Sequence, residues 1–330
     1  MIRQILEQTE NIEKKLAALE AEAATQVEGL SMEGISPAAS RRGQRNYKNQ
    51  SAQIIHLKAL RHDLLQQCRD LTPEDKVYLA RYASRPHIED FIDALFTDFF
   101  EQKGDHLYDE DQSIYGGIAL YKKTPVTIIG HRKGRTAEEN VRYNFGMPCP
   151  EGYRKALRLM QQAEKFHRPI ITFVDTPGAY PGMEAEEHGQ GEAIARNLAA
   201  MSHLSVPVIT VVTGEGNSGG ALALSVANRM LMLENAVYSV LSPEGFASIL
   251  WKDASRRGEA CSMMKLTAAD LYEAGIIDEI IPEPRGGAQT NPAELYHNLD
   301  EALQRHFHAL SKMNASELVA DRHQKFRKIG

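Results

Sequence analysis

The feature that most constrains the fold is a pair of apolar runs, "PIITFVD" (169–175) and "VPVITVVT" (206–213). Each follows an amphipathic segment and each leads at once into glycines. Val and Ile without alternation belong to strands buried on both faces. Helical segments between such strands are crossovers, so the pattern predicts a parallel sheet covered by helices. The two helical segments are "EGYRKALRLMQQAEKF" (151–166) and "GEAIARNLAAMSHL" (191–204). Upstream, "IYGGIALY" and "PVTIIGH" read as a strand pair joined by the short polar "KKT". Ligands of open α/β folds lie beyond the carboxyl ends of parallel strands, so "DTPGAYPG" (175–182) and "GEGNSGG" (214–220) are expected to face one crevice.

The second loop satisfies two incompatible motifs. Gly214, Gly216 and Gly219 spell the turn of a dinucleotide-binding unit, with Glu234 placed about where a ribose-binding acid would stand. Gly216, Ser218 and Gly220 spell a hydrolase nucleophile elbow, yet no histidine lies between Ser218 and His297 to take its proton. A third reading explains both loops. Successive peptide N–H groups of Gly219, Gly220 and Ala221 at a helix start form an oxyanion donor set, and Gly178-Ala179 supply facing donors or a wall. Ser218 then only caps the helix.

The flanks are simpler. Residues 2–24 carry Ile5, Ile12, Leu16 and Leu19 at helical spacing, a narrow stripe that needs a partner surface. The Gly-, Ser- and Arg-rich stretch 29–49 reads as a mobile linker, followed by a helix over about 51–70. Thr72-Pro73-Glu74-Asp75 is a helix start. "IEDFIDALFTDFF" (88–100) reads as an apolar helix, and "DRHQKFRKIG" at the carboxyl end as a loose basic tail. The expected organisation is a helical extension with linker (1–70), a main α/β domain (71–290) and a terminal helix with tail (291–330).

A net charge of −6 argues against a nucleic-acid surface. Cys68, Cys149 and Cys261 lie far apart with no C-x-x-C, so neither a disulfide framework nor a metal site is expected. The amino-terminal residues lack a signal-type apolar run and no later run is long enough to span a bilayer, so a cytoplasmic protein is expected.

The stretch from "GHRKGRTAEENVRYNFGMPCPEGYRKAL" through "DTPGAYPG" and "GEGNSGGALALSVAN" to "LSPEGFASILW" resembles the alpha subunit of bacterial acetyl-coenzyme A carboxylase carboxyltransferase, over roughly residues 71–288. The resemblance implies a crotonase-like superhelix of repeated strand-strand-helix units. It implies transfer of a carboxyl group from carboxybiotin on a carrier protein to acetyl-CoA, giving malonyl-CoA for fatty acid synthesis. The implied partners are a zinc-ribbon-bearing beta subunit, biotin carboxyl carrier protein and biotin carboxylase, with two alpha and two beta chains together and no metal in this one.

By position, the N–H groups of Gly220 and Ala221 would face the biotin ureido oxygen, Gly219 would shape the turn, and Gly178 and Ala179 would line the crevice. Tyr180, Gly216 and Ser218 belong to the same cofactor-binding set. His131, Arg132, Lys133 and Arg135 would contact coenzyme phosphates or form a solvated loop. Asn217 stands where the family pattern has glycine, His188 where it has arginine, and "SRPHIEDFI" departs from "QRPYTLDYI". The rivals are a Rossmann-type oxidoreductase, a Clp-type serine peptidase at Ser218, and a crotonase-like hydratase with Glu244 as one acid. The hydratase's second acid would fall at Leu222. A chain that only binds, lacking turnover without its partner, is the rival of a different class.

Overall fold

The computed structural model describes residues 2–30 and 37–329, with side chains over 2–25 and 49–329. The chain divides into two compact units at Leu71/Thr72. In the first, the helices Ile2–Leu30 and Pro37–Gln66 lie antiparallel, bridged by Arg61 to Glu13 at 2.7 Å and Lys58 to Glu20 at 2.8 Å. The predicted linker is thus helical from Pro37, whose ring suits a first helical position and is followed by helix-forming Ala, Arg and Gln. Residues 31–36 of that stretch lie outside the described residues.

The second unit is one eight-stranded sheet with helices packed on it. Its strands are β1 (Thr97–Glu101), β2 (Ile114–Tyr121), β3 (Thr124–His131), β4 (Ile170–Thr176), β5 (Val208–Asn217), β6 (Arg229–Leu233), β7 (Val237–Ser239) and β8 (Glu279–Ile281). The spatial order is β1-β2-β3-β4-β5-β6-β8, with β7 paired to the far end of β5. The β1–β2 and β2–β3 pairs are antiparallel and all others parallel. The β2–β3 turn holds Lys122 and Lys123 at φ 46° and 68°, the left-handed pair that a two-residue hairpin needs.

Every residue of β4 and β5 is buried, as uninterrupted apolar runs require. The helices Pro150–Lys165 and Gln190–His203 are the predicted crossovers. Thr72 caps the helix Pro73–Ala80 in a reciprocal box with Asp75, and Ser242 caps Pro243–Trp251 by accepting from Gly245 N at 3.1 Å.

Two expectations fail. The apolar segment 88–100 is helical only over Ile88–Leu95, and its Phe-rich end becomes edge strand β1, where aromatic residues suit a pleated surface better than a helix. The basic carboxyl end is a docked helix, Ala315–Ile329. Arg322 is fully buried there and donates to Leu204 O (2.9 Å) and Asn228 Oδ1 (2.7 Å), while Lys325 pairs with Asp278. A cationic tail looks solvated in sequence. Here its charges meet carbonyls and a carboxylate at the end of the sheet.

Candidate functional site

The two glycine loops are set by a mismatch between β4 and β5. Their register runs Val174 with Val212, then Thr176 with Gly216, so β5 spends two extra residues in a bulge at 213–215. Gly214 sits in it because a Cβ there would run into the Asp175 carboxylate. With no side chain in the way, Asp175 Oδ1 accepts from Glu215 N at 3.1 Å.

The segment "GEGN" is therefore strand, not turn, which corrects the expected loop and removes the dinucleotide reading. Glu234, its ribose acid, instead accepts from Glu283 N at 3.0 Å. Gly216 is buried in β5, where a Cβ would lie 2.5 Å from the Tyr238 ring, so its lack of a side chain serves strand packing.

The chain turns at Asn217 and Ser218 into the short helix Ser218–Leu222. Ser218 takes φ 57°, a strained left-handed value, and is exposed. It makes no cap hydrogen bond; Asn217 is the cap position. Among the described residues no imidazole hydrogen-bonds Ser218, so the elbow lacks its base. A five-residue helix sums few peptide dipoles, and what the turn offers an oxyanion is the N–H groups of its first turn, Ser218, Gly219 and Gly220, which precede the first intrahelical bond.

The second loop closes onto the first at Gly220. A Cβ on Gly220 would stand 2.5 Å from Ala179 N and 2.6 Å from Gly178 C. Gly178 itself adopts φ 138°, open to glycine alone. Its N–H donates to Thr176 Oγ1 at 3.0 Å, so it is a wall and not a free donor. The helix is tied beneath by Thr172 Oγ1 to Leu224 O (2.7 Å) and Ser225 Oγ to Ala221 O (2.6 Å).

Ser218 and Gly219 open onto an apolar pocket of about 770 Å³, walled by Leu222, Tyr238, Val240, Leu241 and Phe246 among others. The structure therefore brings Gly178, Ala179, Ser218, Gly219, Gly220 and Ala221 together. Tyr180 lines a separate cleft of about 290 Å³ with acidic walls, beside Glu151 and His188. His188 Nδ1 meets Glu151 Oε1 there at 3.0 Å, a contact suited to the arginine expected at that position.

The basic stretch is tied down by acidic partners, with Arg135 still exposed in its loop. Arg132 pairs with Glu89 and lies against the rings of Tyr115 and Tyr143, and Arg135 forks onto Asp90 at 2.6 Å. Lys133 is largely buried and bridges Asp175 (2.7 Å) and Glu215 (3.0 Å). Arg81 holds the other Glu215 oxygen at 2.8 Å and reaches Glu244 at 3.1 Å. Burial alone would raise Glu215, but Lys133 and Arg81 outweigh it and hold its carboxyl below the ordinary value.

Glu244 is thereby committed to an ion pair, and Leu222, at the position of the second acid, cannot move a proton, which removes the hydratase pair. Asn217 donates to Glu215 within β5 (3.2 Å) and accepts from Ser239 (2.9 Å), so this departure from the family pattern adds one side-chain bond between β5 and β7. His131 is fully buried, and burial pushes its imidazole down to about 4, against opposing pulls from Asp175 and the carbonyls of Gly220 and Phe173.

Sequence reading missed Asp175, Glu215 and Arg81, and singled out Lys133 without its carboxylate partners. The available signal was charge placed at the ends of otherwise apolar strands.

A family model described as acetyl co-enzyme A carboxylase carboxyltransferase-like matches residues 9–330. The acetyl-coenzyme A carboxylase carboxyl transferase subunit alpha of Bacillus cereus is 59% identical over 256 residues, 78% of this chain and 79% of that protein. Its namesake from Halalkalibacterium halodurans is 57% identical over 261 residues, 79% and 80% of the two chains.

Among solved structures, transcarboxylase 12S superposes with a TM-score of 0.54 at 19% identity, covering 73% of this chain and 44% of the other. This chain thus spans less than half the length of that one. A Pseudomonas malonate decarboxylase hetero-tetramer gives 0.52 at 16% identity, covering 64% and 83%. These likenesses are of fold, the crotonase-like strand-strand-helix superhelix.

Proposed function

Since the chain belongs to the acetyl-coenzyme A carboxylase carboxyltransferase family, as an alpha subunit, we propose that its two glycine loops form the biotin-holding half of the transferase site. The reaction is transfer of a carboxyl group from biotin to acetyl-CoA. The observation that carries the assignment of the site is the closure of Gly178-Ala179 onto Gly220, next to Ser218 and Gly219, which line an apolar pocket.

Those groups fit a ureido ring: donors for its oxygen, and aliphatic and aromatic walls for the rest. The one pocket lysine, Lys265, is paired with Asp270. Bound carboxybiotin would bring both the carboxyl group and the base, which explains a site without a catalytic triad. The chain's own work is to orient the ring, exclude water with Leu222, Val240 and Phe246, and hold negative charge on oxygen at the N–H groups of Gly220 and Ala221. One such donor is worth about 3 kcal/mol.

Subunit relatives imply a multi-subunit enzyme. We assign acetyl-CoA mainly to a beta subunit bearing a zinc ribbon, with two alpha and two beta chains served by biotin carboxyl carrier protein and biotin carboxylase. Among the described residues no helix is long and apolar enough to cross a membrane, and the proposed setting is the cytoplasm. The test is reverse transfer from malonyl-CoA to a soluble biotin derivative, with this chain alone, the beta chain alone, and both. Activity only in the mixture supports the shared site; a silent mixture refutes it.

A further inference from the structure

Tyr153 enters the site from the first turn of the helix Pro150–Lys165 and is fully buried. Its Oη lies 2.9 Å from the point where a Cβ on Gly220 would stand, beside Ala179 N and Gly178 C. The ring packs with Ala193, Ala223, Ala179 and Ile194, an apolar nest. The hydroxyl is buried with no hydrogen-bond partner among the described residues. Burial, with Asp111 and Cys149 adding, drives its pKa well above the ordinary value, so the group is a neutral hydroxyl at all working pH.

A buried hydroxyl without a partner lowers stability, and phenylalanine would fill the same nest without that loss. An oxygen that packing does not need, set against the seam of the two glycine loops, has a use in spacing them.

We infer that Tyr153 is a positioning residue for the transfer: its hydroxyl oxygen is a spacer at the junction of Gly220 with Gly178-Ala179, and it fixes the backbone of Gly220, and with it the N–H groups of the helix's first turn, relative to the pocket that Ser218 and Gly219 line. It touches no substrate and acts through the backbone of Gly220. Removing the oxygen leaves a gap into which the loops settle, and donors displaced by fractions of an ångström stabilise charge poorly while the walls that bind the ring are unchanged. The inference rests on the reading of these loops as the biotin half-site.

The experiment compares wild type with Tyr153→Phe, each mixed with the beta chain, in reverse transfer, together with thermal unfolding of the isolated chain. The expected result is a kcat lowered about tenfold, a KM for the biotin derivative within twofold of wild type, and a melting temperature equal or higher. Unchanged kcat overturns the inference. So does a rise in KM beyond twofold, which would make the hydroxyl a substrate contact, and so does a lower melting temperature, which would make it a structural bond. Silence of the wild-type mixture is a different failure: it removes the half-site reading, and the inference with it.

Discussion

Gly220→Ala adds one methyl group where three atoms already stand, at 2.5 Å (Ala179 N), 2.6 Å (Gly178 C) and 2.9 Å (Tyr153 Oη). Two of these are backbone and cannot rotate away. Restoring ordinary contact, about 3.5 Å, moves one loop away from the other by roughly 1 Å. Overpacking of that kind costs about 1–3 kcal/mol of stability. A 1 Å misplacement of catalytic groups costs about 100-fold in rate, near 2.7 kcal/mol of barrier.

Gly219→Ala is the internal control, because its methyl would meet only Ile194 carbons at 3.6 and 3.7 Å. In the mixed-subunit reverse assay Gly220→Ala should fall about 100-fold and Gly219→Ala by less than threefold, both checked for folding by thermal unfolding. Gly220→Ala at wild-type rate and melting temperature would refute the argument from loop closure.

Lys133→Met leaves Asp175 and Glu215 without their shared cation and should cost about 3–5 kcal/mol in denaturant unfolding. Stability should also climb with pH between about 4 and 6.5. The folded His131 is lowered to about 4 from 6.5, so over that range the unfolded chain binds the extra proton, and His131→Gln should flatten the slope. Glu215 adds a loss at lower pH: its depressed carboxyl stabilises the fold above about 4.5, and that contribution disappears as acid protonates it. Arg322→Ala unpairs Leu204 O in the core, leaves Asn228 Oδ1 with Val208 N as its remaining donor, and should cost about 2–4 kcal/mol by chemical unfolding; a change under 0.5 kcal/mol would mean the terminal helix is not docked.

How much of this was legible follows from which signals are local. The β2–β3 hairpin, the buried runs of β4 and β5, and the cap at Thr72 each depend on a few adjacent residues, and sequence reading located them. The end of β5 did not yield because its two glycines look like a turn. Their reason is long-range: Gly214 makes room for Asp175 and Gly216 for Tyr238. The carboxyl helix failed for a related cause, since Arg322 reads as a surface charge until Leu204 and Asn228 are brought beside it.

The candidate site was legible only as a set of glycines. What leaves no room for a side chain at Gly220, the approach of a loop about forty residues earlier, is a tertiary fact, and so is the placement of Tyr153 behind it.

A cradle assembled from peptide N–H groups has an unusual vulnerability. No substitution except proline deletes such a donor, so truncating side chains one at a time would find little to remove at Gly219, Gly220 and Ala221. At these three positions side-chain loss has little to remove, and the cradle fails through gain of volume. A search for inactivating changes should therefore add atoms, methyl by methyl along 178–179 and 218–221, and an inhibitor that holds the two loops an ångström apart would silence the chain without occupying the pocket at all.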